Sequence, residues 1–197
     1  MPEAHEQMEH AEEAEHASHS NRKIAMVIAV LALFLSFSET LGKSAQTEAI
    51  DANVKSTDTW AFFQAKDIRR TVVNAAADET TLLGASLTDP AAKAALDKQV
   101  EAWRKTAERY ESDPKTGEGR KELALRAKAE EDDRDLAMAK YHHYELASAA
   151  FQIGIVLASA AVITGMIALA WFAGLLGVAG LGVLSLGLFA PHLIHLP

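Results

Sequence analysis

The sequence predicts an all-α integral membrane protein with three hydrophobic segments and a helical hairpin or bundle stalk between the first and the second. Three observations predict it. All 19 basic and 27 acidic side chains fall within residues 1–146, so the last 51 residues carry no charge, and an uncharged apolar stretch of that length is read as membrane-spanning. The five prolines stand at 2, 90, 114, 191 and 197, leaving 43–89 and 115–190 uninterrupted, where an interior proline would cost a helix about 3 kcal/mol. Those stretches are rich in Ala, Lys, Glu and Leu, which favour helix. The mean hydropathy of +0.01 is therefore a cancellation between acidic helices and apolar ones.

Residues 1–23 read as an acidic, histidine-rich tail with no apolar face on which to fold. Glu6/His10, Glu12/His16 and Glu15/His19 stand at i, i+4. A helical form would present imidazole and carboxylate to Zn²⁺, Ni²⁺ or Cu²⁺, so His5, His10, His16 and His19 are candidate metal ligands, set against a plain solvated tail. Residues 24–42 read as the first transmembrane helix, since Ile24 to Leu41 rise about 27 Å against a hydrocarbon core of about 30 Å. The following Gly42-Lys43-Ser44-Ala45-Gln46 is a poor cleavage site, which favours a retained anchor over a signal peptide.

Residues 43–146 read as extramembrane. A first helix runs from about Ser44 to Leu83 with Gly84 as a left-handed cap. Its Ile50, Val54, Ala61, Ala65, Ile68, Val72, Ala75 and Leu82 keep a helical period, diluted by Thr57 and Gln64. A second opens on Thr88-Asp89-Pro90, a polar cap followed by proline at the first helical position. In it Leu96, Val100, Trp103, Ala107 and Tyr110 step by 4, 3, 4 and 3, the spacing of a coiled coil. Ser112 to Gly119 is a turn, and a third helix runs from about Arg120 through Tyr144 into the second span. Residues 147–173 read as the second transmembrane helix and 174–197 as a third or as a re-entrant segment, with the turn at Ala173-Gly174.

The second span carries Ala147, Ala150, Gly154, Ala158, Ala161, Gly165 and Ala168 at steps of 3, 4, 4, 3, 4 and 3. Such a stripe of small residues is a helix-packing face in lipid. Its partner is the first span, the third, or another copy of the chain. Tyr141-His142-His143-Tyr144 sits where a helix enters a bilayer, the usual place for amphipathic rings. Glu39 lies close enough to the end of its span to reach water. Trp60 and Phe63 share a helix face and are expected to pack on the neighbouring helices, with Trp103 as a counterpart. Glu130 to Asp135 reads as a solvated acidic face.

The absence of cysteine excludes disulfides, thiolate zinc sites and a thiol nucleophile. An acidic water-exposed part argues against nucleic acid. No phosphate loop, dinucleotide fingerprint, nucleophile elbow or zinc-protease motif occurs, so no cofactor and no enzymatic activity are expected. Arg22-Lys23 beside the first span tips the topology toward a cytoplasmic amino terminus with the helical region outside, although Lys43, Lys55, Arg134 and Lys140 flank the other side.

Asn21-Arg22-Lys23 before the first span, Trp60-Ala61-Phe62-Phe63-Gln64-Ala65-Lys66, and Gln152-Ile153-Gly154-Ile155-Val156-Leu157-Ala158-Ser159 at the start of the second give the chain a further identity. Over roughly 20–190 it resembles a bacterial membrane protein family known only as a domain of unknown function, number 4337. The resemblance implies a multi-pass protein of the bacterial inner membrane and brings no catalytic residues. The function expected from the residues is a scaffold acting by helix–helix association, as a homo-oligomer in the lipid bilayer. The alternatives are a channel or transporter component, its polar route lined by Gln152, Ser159 and Thr164, and metal handling by the tail.

Overall fold

Without an interior proline or a left-handed glycine to stop them, the helices run long. The computed structural model describes residues 3–192, and side chains from Asn21 to His192. The elements are α1 (Glu3–Ala85), α2 (Pro90–Glu111), α3 (Arg120–Thr164) and α4 (Ile167–Phe189), and no strand occurs among the described residues. By length and composition, stretches of α1, α3 and α4 suffice to cross a membrane. The side chains of His5, His10, His16 and His19, with the rest of residues 1–20, and residues 193–197 lie outside what is described. The chain forms two compact units, Met1–Glu48 with Leu136–Pro197, and Ala49–Asp135.

In the first unit α1, α3 and α4 pack as three helices. Leu31, Ala45, Tyr144, Ala147, Phe151 and Leu184 form one core cluster, and Ile24, Ala158, Ala161 and Ala173 a second. Ala45 and Tyr144, expected in the extramembrane part, thus belong to the three-helix core.

The turn between the second and third hydrophobic segments is not at Ala173-Gly174. It falls at Gly165-Met166, where Gly165 adopts φ +70°, a conformation open to glycine and disfavoured for other residues. The Gly165 N–H donates to Ala161 O at 2.9 Å, and the extended Met166 starts α4. Gly165 therefore terminates a helix instead of continuing a packing stripe. Moving the turn leaves α4 with 23 residues, about 35 Å of helix, long enough for a full span.

In the second unit α2 opens as its residues dictate: Asp89 Oδ1 accepts from Ala91 N–H at 3.0 Å, and Pro90 occupies the first turn. Gly84 is not a left-handed cap. It lies within α1, where a Cβ would stand 3.8 Å from Leu96 Cδ1, and α1 ends one residue later. The packed side of α1 is Ala49, Ala52, Ser56, Thr59 and Ala77, all buried. The helix-period apolar face, by contrast, points outward, with Ile68 64%, Val72 62% and Leu82 75% exposed. Small and hydroxyl residues face inward because they let helices approach closely.

The turn before α3 is built around Glu122. Its carboxylate accepts from Ser112 Oγ at 2.6 Å and from Asp113 N–H at 3.1 Å. The Ser112 hydroxyl, with help from backbone N–H groups, holds the Glu122 carboxyl below its usual value. A Cβ at Gly119 would collide with Glu122, with the Asp113 nitrogen and with Ser112 Cα at 2.6 Å. Gly117, at φ 69°, has open space around it.

Two outcomes are expected. Gly119→Ala should destabilise the chain by about 1–3 kcal/mol, because backbone must move, and Gly117→Ala by about 1 kcal/mol through its left-handed φ alone, measured by thermal unfolding in mild detergent. A carboxyl with a lowered folded pKa contributes stability above its unfolded pKa and loses it as pH falls through the folded one. Wild type should therefore be more stable than Glu122→Gln near neutral pH, and the gap should close on acidification below the ordinary carboxylate range.

Candidate functional site

Lipid tails are as apolar as leucine, so helices in a bilayer associate through close packing and interhelical hydrogen bonds. The most developed arrangement of this kind is the meeting of α1, α3 and α4. Of the seven small residues expected on one stripe, Ala147, Gly154, Ala158 and Ala161 are buried on α3 and Ala150 is half-buried. Gly165 is exposed at the turn, and Ala168 is exposed on α4, because the helix ends between them and the stripe. A Cβ at Gly154 would stand 3.1 Å from Leu31 Cδ1 of α1 and 3.3 Å from Ala173 O of α4. The stripe thus meets both other helices of its own chain.

The α4 side is Ala173, Gly177, Gly180, Leu184 and Gly187, its buried residues, at steps of 4, 3, 4 and 3. A Cβ at Gly177 would lie 2.7 Å from Leu31 Cδ2, at Gly180 2.8 Å from Phe151 Cε1, and at Gly187 2.9 Å from His143 Cβ. Gly174 and Gly182 have open space instead. Of these five glycines, the heptad-like spacing separates the three that pack closely from the two that do not. Phe34 stacks on Phe151 with centroids 6.0 Å apart. Ser38 Oγ donates to Tyr144 O at 2.8 Å, and Tyr144 OH to Gly187 O at 3.3 Å. These bonds tie α1 to α3 and α3 to α4, a role for Ser38 that its hydroxyl alone did not announce.

Of the paired histidines, His143 is buried with Nδ1 2.7 Å from Ala139 O and Nε2 without a partner, while His142 lies 4.0 Å from Glu145. Gln152 Nε2 donates to Glu39 Oε1 at 3.3 Å on an exposed face. Ser159 and Thr164 bond back to Ile155 O and Ala160 O, each at 2.8 Å. Among the described residues no group of three or more His, Asp or Glu converges as a metal site.

The Trp60 to Lys66 segment organises the second unit. Trp60 packs edge-on to Phe63 at 5.3 Å, and its indole N–H donates to Glu131 of α3 at 2.8 Å. Lys66 lies over Phe62 at 5.1 Å and over Tyr110 of α2 at 5.5 Å. Arg120 sits over Phe63 at 5.0 Å and pairs with Glu111 at 2.8 Å. Such cation–ring contacts contribute about 0.5–1 kcal/mol each at exposed sites. The acidic run is therefore not uniformly solvated: Glu130 and Glu131 are half-buried, and Asp132, Asp133 and Asp135 are exposed. A polar depression of this unit, about 510 Å³, is lined by side chains already paired, Arg104 with Asp78 at 2.7 Å and Arg70 with Glu111 at 3.1 Å.

The family described as "Domain of unknown function (DUF4337)" matches residues 20–190, a range that includes all three apolar stretches and the Trp60 to Lys66 segment. No curated protein and no solved structure matches the chain.

Gly180→Ala and Gly182→Ala separate packing from composition. The first should destabilise the three-helix unit by about 1–3 kcal/mol, since the Phe151 ring must shift. The second should leave it within about 0.5 kcal/mol. The check is unfolding in mixed dodecylmaltoside and SDS micelles followed by far-UV circular dichroism.

Proposed function

The chain belongs to the DUF4337 family, and from that premise we propose that it is a non-enzymatic, multi-pass membrane scaffold that works as a homo-oligomer, a second copy covering the outer face of α1. The observation that carries the reading is that face. Ile50, Val54, Ile68, Val72 and Leu82 are between 52% and 75% exposed, while the opposite side of the same helix is packed. With Thr57, Ala61, Ala65, Ala75 and Glu79 they step by 4 and 3 along the helix, the spacing by which two helices interdigitate. Apolar area left in water is unfavourable by about 25 cal/mol per Å². A face of one repeat mates most simply with the same face of another copy about a twofold axis. Thr57 and Glu79 within the seam favour one register, as polar residues do at such positions.

The reading puts the chain in a bacterial inner membrane with Arg22 and Lys23 on the cytoplasmic side, where basic residues beside a span are retained. The first crossing then carries the helical region 49–135 to the outer side. The small-residue stripe of α3 is committed to α1 and α4 within one chain, so association between copies rests on α1 and not on that stripe.

The chain has no cysteine, which makes Ala61→Cys a single-thiol reporter. In native membranes under oxidising conditions it should give a disulfide-linked dimer. Adding Ile68→Asp and Val72→Asp should reduce that product about tenfold and shift the full chain to monomer in native mass spectrometry, with helicity unchanged. A wild-type chain that stays monomeric at all concentrations and does not cross-link through residue 61 would overturn the reading.

A further inference from the structure

The three-helix unit has a groove that the side chains of the described residues do not fill. It lies between α1 and α4, has a volume of about 350 Å³, and is walled by Val30, Phe34, Val178 and Leu181, with Gly174 on its floor and Lys23 at one end. Among the described residues Lys23 is the only charged one lining it. Gly174 keeps it open: a Cβ there would meet nothing within 4 Å.

We propose that this groove binds one acyl chain of a phospholipid whose headgroup phosphate lies at Lys23. Length selects the occupant. From Lys23 to Phe34 α1 rises about 16 Å, half of a hydrocarbon core of about 30 Å, so the groove runs the depth of one leaflet. A helix of another copy would need a face about twice as long. Charge gives the direction, because a lysine at the end of a span sits at the level of the phosphates. Trp171 of α4, 78% exposed, stands one turn from Gly174, at the same end as Lys23, and a tryptophan at that level marks the interface. The volume falls in the range of pockets that enclose small ligands.

Native mass spectrometry of the full chain in mild detergent, titrated with phosphatidylglycerol, tests this. Wild type should retain one phosphatidylglycerol per chain. Gly174→Leu adds a side chain at a groove-lining position where a Cβ meets nothing within 4 Å, and should weaken retention about tenfold or more. Lys23→Gln should weaken it about fivefold, the loss of one basic contact to an anionic headgroup. Gly182→Leu, placed in equally open space outside the groove, should bind as wild type does. The proposal is overturned if wild type retains no lipid, if Gly174→Leu retains it undiminished, or if Gly182→Leu loses as much. It is also overturned if Gly174→Leu changes the protein's oligomeric mass and leaves lipid retention intact, which would make the occupant a second copy of the chain.

Discussion

Close approach of three helix backbones is the constraint on which the membrane unit depends. Gly154, Gly177, Gly180 and Gly187 each stand where a Cβ would press on a neighbouring residue, and Ala147, Ala158, Ala161 and Ala173 are buried among them. Dispersion falls steeply once a gap opens. A chain with bulky residues there would keep its hydrophobicity and lose its contacts. The interhelical bonds from Ser38 and Tyr144 reach backbone carbonyls only because those backbones are near.

The unit 49–135 solves the same geometric problem with different residues. Inward go Ala49, Ala52, Ser56 and Thr59 of α1 and Leu123 and Ala127 of α3. Around them aromatic rings, cations and carboxylates share partners: Glu111 faces both Arg70 and Arg120, and Lys66 lies against two rings and Glu118. Exposed ion pairs contribute about 0–1 kcal/mol apiece, so the effect of this cluster is to fix which helix meets which more than to supply stability. The larger apolar side chains of α1 are left outside, and that inversion is the observation on which the proposed association with another copy rests.

Three surfaces thus carry three chemistries. The small-residue face is spent within the chain, the apolar seam of α1 suits an identical helix, and the one-leaflet groove at Gly174 suits a lipid tail.

The helical class, the three apolar stretches, the Asp89-Pro90 start of α2 and the break at 112–119 were legible in the sequence, because charge segregation, proline and capping act locally. Gly154, Ala158 and Ala161, expected on a packing face from their helical spacing, are buried. The turn at Gly165 was not legible, because a glycine reads alike as a stripe residue and as a helix stop until its φ is known. Nor was the inward face of α1, since Ser, Thr and Ala at 3.5-residue spacing leave no hydropathy signal, whereas the louder Ile and Val pattern points outward. By itself the sequence determined the helical class and which stretches are apolar enough to cross a membrane, for these are properties of each segment alone. Which face of each helix is buried, which glycines are obligatory and where a groove stays open were decided only by tertiary structure, because they depend on how near another backbone comes.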